Sequence, residues 1–150
     1  MAREEKNFLK EWEEAQKHYS MGDLKNALEK ISKAISYSPS NQHLYFFRGQ
    51  IYMQLELYEL ALEDMNQLIR FNPNNYDAYF NSAVCLLNLK RYEYAIEDFK
   101  KVLENNELDS QANHFISRCY RAIGDEKLAS FHEATSGLGI MKDMQNSSGN

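Results

Sequence analysis

The sequence predicts an all-α protein, built as a right-handed α-solenoid of about three and a half helix–turn–helix units. Three observations predict this fold. The chain aligns with itself at a step of thirty-four residues, which places 58–64 on 92–98. Within each step, apolar residues recur every three or four positions, as an amphipathic helix requires. Small residues keep the same step, since Ala27, Ala61, Ala95 and Ala129 are all in register.

The units are expected at 8–41, 42–75, 76–109 and 110–136, after an N-terminal extension at 1–7. Prolines and polar residues at 39–41 and 73–75 end one unit and offer caps for the next helix. Gly22-Asp23 and Gly124-Asp125 mark the turn inside the first and fourth units.

The last unit is partial and is expected to cap the stack. Its second helix begins near Asp125 and is expected to stop at 136–137. It carries Glu133 where earlier units have Ile31, Met65 and Phe99, and a polar residue there is typical of a terminal helix that faces water.

Residues 137–150 are expected to be a flexible tail. Its apolar residues Leu138, Met141 and Met144 fall at three-residue steps. This short stripe leaves two alternatives open, because it could fold on a partner or back onto the stack.

Composition excludes several classes of function. The 150 residues carry a net charge of −5 without a cluster of Lys and Arg, so no nucleic-acid binding is expected. The start lacks the apolar core of a signal peptide, and no apolar run is long enough to span a bilayer. We therefore expect a cytoplasmic protein without membrane insertion.

The residues that could carry chemistry do not form a reactive pattern. His18, His43, His114 and His132 lack metal-ligand spacing, and the glycines do not form a phosphate-binding loop. The Glu63-Asp64 and Glu97-Asp98 pairs recur one period apart, which favours a solvated outer face. We therefore expect no enzyme, no cofactor and no metal.

Cys85 and Cys119 lie one period apart. This spacing favours two buried thiols in a reducing compartment, with a disulfide or a metal pair as the alternative.

The unit resembles the tetratricopeptide repeat, and the resemblance extends over about residues 8–136. The second unit matches the pattern of that family best, through Tyr45, Arg48, Gly49, Tyr52, Ala61, Met65 and Pro73. The third unit has Glu107 in place of the proline.

The resemblance implies that the first helix of each unit lines a concave groove that binds proteins. By register, the groove residues are mainly aromatic residues and amides: Trp12, Gln16, His43, Phe46, Phe47, Gln50, Met53, Phe80, Asn81, Val84, Asn88, His114, Phe115 and Arg118. Trp12, Phe46, Phe47 and Phe80 are the expected apolar anchors. Gln50, Asn81 and Asn88 are expected to bond the partner backbone. Adjacent helical residues diverge by about 100°, so Phe46 and Phe47 cannot both point into one helix interface.

The carboxylate clamp with which some members of the family hold heat-shock proteins is not expected here. The corresponding positions hold Trp12, Gln16, Phe47, Asp77 and Asn81, or, one unit later, Phe46, Gln50, Asn81, Gln111 and Phe115. Asn81 alone matches, and the cations that would pair a carboxylate are missing.

The function expected is a non-enzymatic adaptor that binds a protein or peptide segment in its groove, as a monomer or as a subunit of a hetero-complex. The alternative is a permanent structural subunit of a large assembly, such as a ciliary, mitochondrial or chaperone complex.

Overall fold

The computed structural model describes residues 3–148, and this range forms eight helices and no strand. Their bounds are α1 (Arg3–Ser20), α2 (Leu24–Tyr37), α3 (Gln42–Gln54), α4 (Tyr58–Phe71), α5 (Tyr76–Asn88), α6 (Tyr92–Asn105), α7 (Ser110–Ala122) and α8 (Glu126–Ser147). The all-α prediction is confirmed.

The helices form sequential pairs within two compact units, one ending at Pro73 and one beginning at Asn74. The first unit packs α1 on α2 and α3 on α4, and the second packs α5 on α6 and α7 on α8. In the first unit, Ala15, Ile31, Ala34 and Leu44 form a buried cluster. Phe8, Trp12, Leu28, Ile35 and Phe47 pack against that cluster.

Small residues bring the two helices of each pair close together. The second helices carry the four alanines at 27, 61, 95 and 129, each fully buried. The first helices carry Ala15, Gly49, Ala83 and Ser117 at the same thirty-four-residue step, and all are buried. A Cβ atom at Gly49 would overlap the terminal methyl of Met65, so a residue larger than glycine there requires the Met65 side chain to move.

A polar contact joins residues sixteen positions apart in three of the four pairs. Glu14 pairs with Lys30, Arg48 donates two hydrogen bonds to Asp64 at 2.6 and 2.8 Å, and the Ser82 hydroxyl donates to Asp98 at 2.6 Å. The expected solvated face is wrong for Asp64, which is 2% exposed. The recurrence marks a contact between paired helices, buried at Asp64 and half-buried at Asp98, while the neighbouring Glu63 and Glu97 are exposed.

The corresponding position in the fourth pair is His132, which is buried. Its Nδ1 lies 2.8 Å from Oδ1 of Asn113. The Asn113 amide nitrogen already donates to the carbonyls of Glu107 and Asp109, so its oxygen accepts and His132 carries the proton on Nδ1. Burial lowers the pKa of His132, and the nearby Lys100 lowers it further.

The turn inside each pair needs the left-handed backbone conformation at one fixed position. The φ angles are +75° at Gly22, +58° at Glu56, +59° at Lys90 and +85° at Gly124, each one period apart. Glycine adopts this conformation at no steric cost, whereas an L side chain is strained there. The second and third pairs therefore carry strain that the first and fourth avoid.

The predicted helix caps are confirmed, but the predicted ends of the chain are wrong. The side chains of Asn41 and Asn75 accept hydrogen bonds from the backbone N–H groups of His43 and Ala78. Helix α1 begins at Arg3, inside the expected extension, and α8 continues to Ser147 through the expected stop. The predicted extension and tail include residues 1–2 and 149–150, which lie outside the described residues.

Contacts beyond residue 135 explain why α8 continues. The Ser136 hydroxyl donates to the Ser110 carbonyl at 2.8 Å, and the buried Gly139 backbone lies against the Leu108 carbonyl. Sequence patterns treat Gly137 as a helix stop, but α8 continues through it. Gly139, two residues later, has no side chain and so permits the close contact.

Replacing Ala61 with leucine should overpack the contact between α3 and α4. Ala61 is fully buried, so we expect Ala61→Leu to lower the free energy of unfolding by about 1–3 kcal/mol. Glu63→Leu, which places the same side chain at an exposed position of the same helix, is the control and should change stability by less than about 0.5 kcal/mol. Urea unfolding measures both, and equal values would contradict the assigned register.

Glycine at the strained turn should stabilise the protein. We expect Glu56→Gly to raise the free energy of unfolding by about 0.5–1 kcal/mol, because relief of the left-handed strain exceeds the added entropy of the unfolded chain. Glu56→Ala removes the same side chain but keeps the strain, so it should give no gain. A stabilisation of equal size in both variants, measured by urea unfolding, would show that the carboxylate rather than the backbone was responsible.

Stability should depend on pH through His132. Its folded pKa lies below the usual 6.5, so the unfolded chain takes up the proton first as the pH falls. Stability from this group is therefore present above pH about 6.5 and is lost as the pH falls below that value. We expect His132→Gln to flatten the slope of unfolding free energy between about pH 7.5 and 5.5; an unchanged slope would assign it to other groups.

Candidate functional site

A pocket of about 450 Å³ lies in the first unit and contains five of the predicted groove residues. Its lining is formed by Phe8, Trp12, Gln16, Asn41, His43, Leu44, Phe46 and Phe47. Helices α1 and α3 supply most of these side chains, and Asn41, the cap residue of α3, supplies one. Trp12, Gln16, His43, Phe46 and Phe47 are thus brought together at one place.

The two adjacent phenylalanines of this pocket have different surroundings. The ring of Phe47 lies edge-on to Trp12 at 5.1 Å and to Tyr19 at 5.0 Å, and it packs against the buried cluster of the first unit. Phe46 is half-buried and lies on the pocket wall. Phe47 and Trp12 therefore support the core, whereas Phe46 lines the pocket outside the buried cluster.

The rim and walls of this pocket lack formal charge. Gln16 and His43 are exposed beside its aromatic walls, and the described residues of its lining include no Lys, Arg, Asp or Glu. Such a lining suits an apolar group flanked by hydrogen-bonding atoms rather than a carboxylate or phosphate. Gln50 and Met53 are half-buried further along α3 and do not line the pocket.

The predicted aromatic residues of the second unit are partly used in packing. Phe80 lies edge-on to Phe99 at 5.6 Å and to Phe115 at 5.9 Å, and Phe99 stacks on Phe115 at 5.5 Å. Phe99 is fully buried, so Phe80 and Phe115 cover a core residue. Their rings are half-exposed, and each lines a separate pocket.

One of these pockets, of about 300 Å³, contains four predicted residues, Val84, Asn88, Phe115 and Arg118. The Arg118 guanidinium lies 5.6 Å from the centre of the Phe115 ring, where it makes a cation–π contact. Sequence register did not predict the remaining lining residues, which are Leu87, Lys90, Tyr92 and Ala122. A charged rim distinguishes this pocket from the one in the first unit.

The amides of the second unit are not wholly free for a partner. The side-chain nitrogens of Asn81 and Asn88 each donate at 2.8 Å to a carbonyl of their own helix, at Asp77 and Val84 respectively. Each amide therefore has one N–H group engaged. His114 is exposed and lies edge-on to Phe115 at 5.7 Å.

Neither the cysteines nor the acidic residues form a reactive centre in the described part of the chain. Cys85 and Cys119 are free and buried, and burial raises their pKa to about 12 and about 11, so both remain thiols. Residues 3–148 contain no cluster of three or more His, Cys, Asp or Glu that could hold a metal ion. No helix in that range is long and apolar enough to cross a membrane.

Several solved structures share this fold. One named "Crystal structure of MamA" is 16% identical with a TM-score of 0.85, covering 93% of this chain and 81% of that one. "MamA MSR-1 C2" is 24% identical with a TM-score of 0.78, covering 84% and 72%. "MamA AMB-1 P212121" is 23% identical with a TM-score of 0.79, covering 85% and 70%. At these identities the likeness shows the fold alone.

Family models place the repeat directly on the sequence. The comparison with curated proteins gives no match. Two models described as tetratricopeptide repeat match residues 13–76 and 76–107, which together make up more than half of the chain. With the thirty-four-residue step, the paired helices and the buried small residues in register, these matches show that the chain belongs to the tetratricopeptide repeat family.

Proposed function

We propose that the protein is a non-enzymatic adaptor that binds a peptide segment in the pocket between α1 and α3. The observation that carries the proposal is the convergence of Trp12, Phe46 and Phe47 with Gln16 and His43 in one uncharged pocket. Repeats of this kind typically form surfaces for protein interaction.

The chemistry of the pocket favours a peptide with an apolar anchor. Aromatic walls bury a large apolar side chain, and the amide of Gln16 together with the imidazole of His43 can exchange hydrogen bonds with a peptide backbone. The absence of cations from this lining argues against recognition of a terminal carboxylate, which needs Lys or Arg.

Phe46 should contribute more to binding than its neighbours, because it lies on the wall without supporting the core as Phe47 does. A phage-displayed peptide library selected against the whole chain would supply the ligand. We expect enriched peptides to carry an aromatic or large aliphatic residue, and Phe46→Ala to weaken their binding by about tenfold or more.

Tyr37→Ala is the matched control, because it removes an exposed aromatic ring elsewhere in the same unit. It should leave affinity unchanged. Both variants should keep the helical circular dichroism of the parent protein. Peptides that bind Phe46→Ala as tightly as the parent would place the interaction outside this pocket.

A further inference from the structure

The outer face of α8 is apolar and exposed over most of its length. Phe131, Leu138 and Met141 are 62%, 58% and 62% exposed, and Ala134 is exposed between them. Large apolar side chains at such exposure are costly in water when they form a continuous stripe, and a stripe of this kind commonly marks an interface.

Comparison in register shows that this face is specific to the fourth pair. Earlier units carry glutamate at the position of Phe131, and they carry only polar or charged residues at the positions of Ala134 and Leu138. These residues are Glu29, Glu63 and Glu97; Ser32, Asn66 and Lys100; and Ser36, Arg70 and Glu104, all exposed. Because these positions remain exposed in the earlier pairs, a following repeat would not cover the α8 stripe.

The stripe has the spacing of a two-helix seam. Phe131, Ala134, Leu138 and Met141 follow steps of three, four and three, which places them on one face as in a coiled coil. The buried residues of α8, Ala129, His132, Ser136 and Gly139, lie on the opposite face against the rest of the unit. One side of α8 therefore packs within the chain, and the other remains exposed among residues 3–148.

The order of large and small residues in the stripe complements itself when two copies run in opposite directions. We propose that the stripe packs against α8 of a second copy of this chain in antiparallel orientation. In that arrangement Phe131 meets Met141 of the partner subunit, and Leu138 meets Ala134 of the partner subunit. A thioether against an aromatic ring and a large residue against a small one both pack well. The symmetry of a twofold dimer repeats each contact.

Charge and backbone also allow this contact. The helix carries Glu126, Glu133 and Asp143 against Lys127 and Lys142, so it is nearly neutral although the chain carries −5. The antiparallel register places Lys142 beside Leu128 of the partner subunit and opposes no like charges. Gly137 lies at the centre, where a Cβ atom would meet nothing within 4 Å, so two helices can approach closely there.

Sedimentation equilibrium over a concentration series tests the dimer. We expect the apparent mass to rise from 17.6 kDa towards twice that value as the chain is concentrated. The variant combining Phe131→Glu, Ala134→Lys and Leu138→Glu introduces the residues that α6 carries at these positions, so its helix should still fold. We expect the dissociation constant of its dimer to rise at least about a hundredfold, because burying those charges is unfavourable.

Helical circular dichroism and the unfolding midpoint of monomeric samples check that the triple variant remains folded. A parent chain that stays monomeric up to about millimolar concentration would overturn the proposal, as would a folded triple variant that dimerises equally well.

Orientation is tested by cross-linking. Ser130→Cys and Met144→Cys are exposed single substitutions that an antiparallel seam brings together between subunits. A short bis-maleimide should link a mixture of the two variants far more than either alone, while the buried native thiols stay unmodified. Efficient linking of each variant to itself would overturn the antiparallel arrangement.

Discussion

The close approach of two helices at small residues is the constraint on which the rest of this structure depends. A Cβ atom at Gly49 would displace the end of the Met65 side chain, and Ala61 is completely buried on the opposing helix. Interiors pack at near-crystalline density, so a larger residue at Ala61 strains the contact between the helices. Close packing at small residues therefore determines which face of each helix is buried. Surfaces that meet ligands are confined to the faces that remain.

The polar contacts between paired helices add specificity to this packing. Glu14 on α1 meets Lys30 on α2, whereas the polarity is reversed where Arg48 on α3 meets Asp64 on α4. In a repetitive chain, helices of different pairs are similar enough to exchange partners. An exchange between these two pairs would place Glu14 against Asp64 and Arg48 against Lys30, so like charges would oppose each other. The reversal therefore disfavours incorrect pairing, at the cost of burying charge.

The sequence step was sufficient to predict the helix pairs and to name five of the eight residues that line the first pocket, because Trp12 and Phe46 share a register. It did not predict the other three lining residues, since Phe8 packs from the first turns of α1, Asn41 lies in a connection and Leu44 belongs to the buried core. Periodicity also says where a residue recurs but not which way it faces, which is why Asp64 was wrongly expected in solvent. The sequence did not predict the length of α8, because the contacts that stabilise its C-terminal half are made with backbone groups, which leave no pattern in the sequence.

Two positions of the second helix in the fourth pair reverse the polarity found in the earlier pairs. Phe99 of α6 is buried against Phe115 of the following helix, whereas α8 carries Glu133 at that position, paired with Arg121 at 2.8 Å. A further helix packed there would have to bury this ion pair without full compensation. Two residues earlier, Phe131 replaces the exposed glutamate of the other pairs. The substitutions together disfavour the packing of a further helix against Glu133 and leave apolar surface exposed on the outer face of α8.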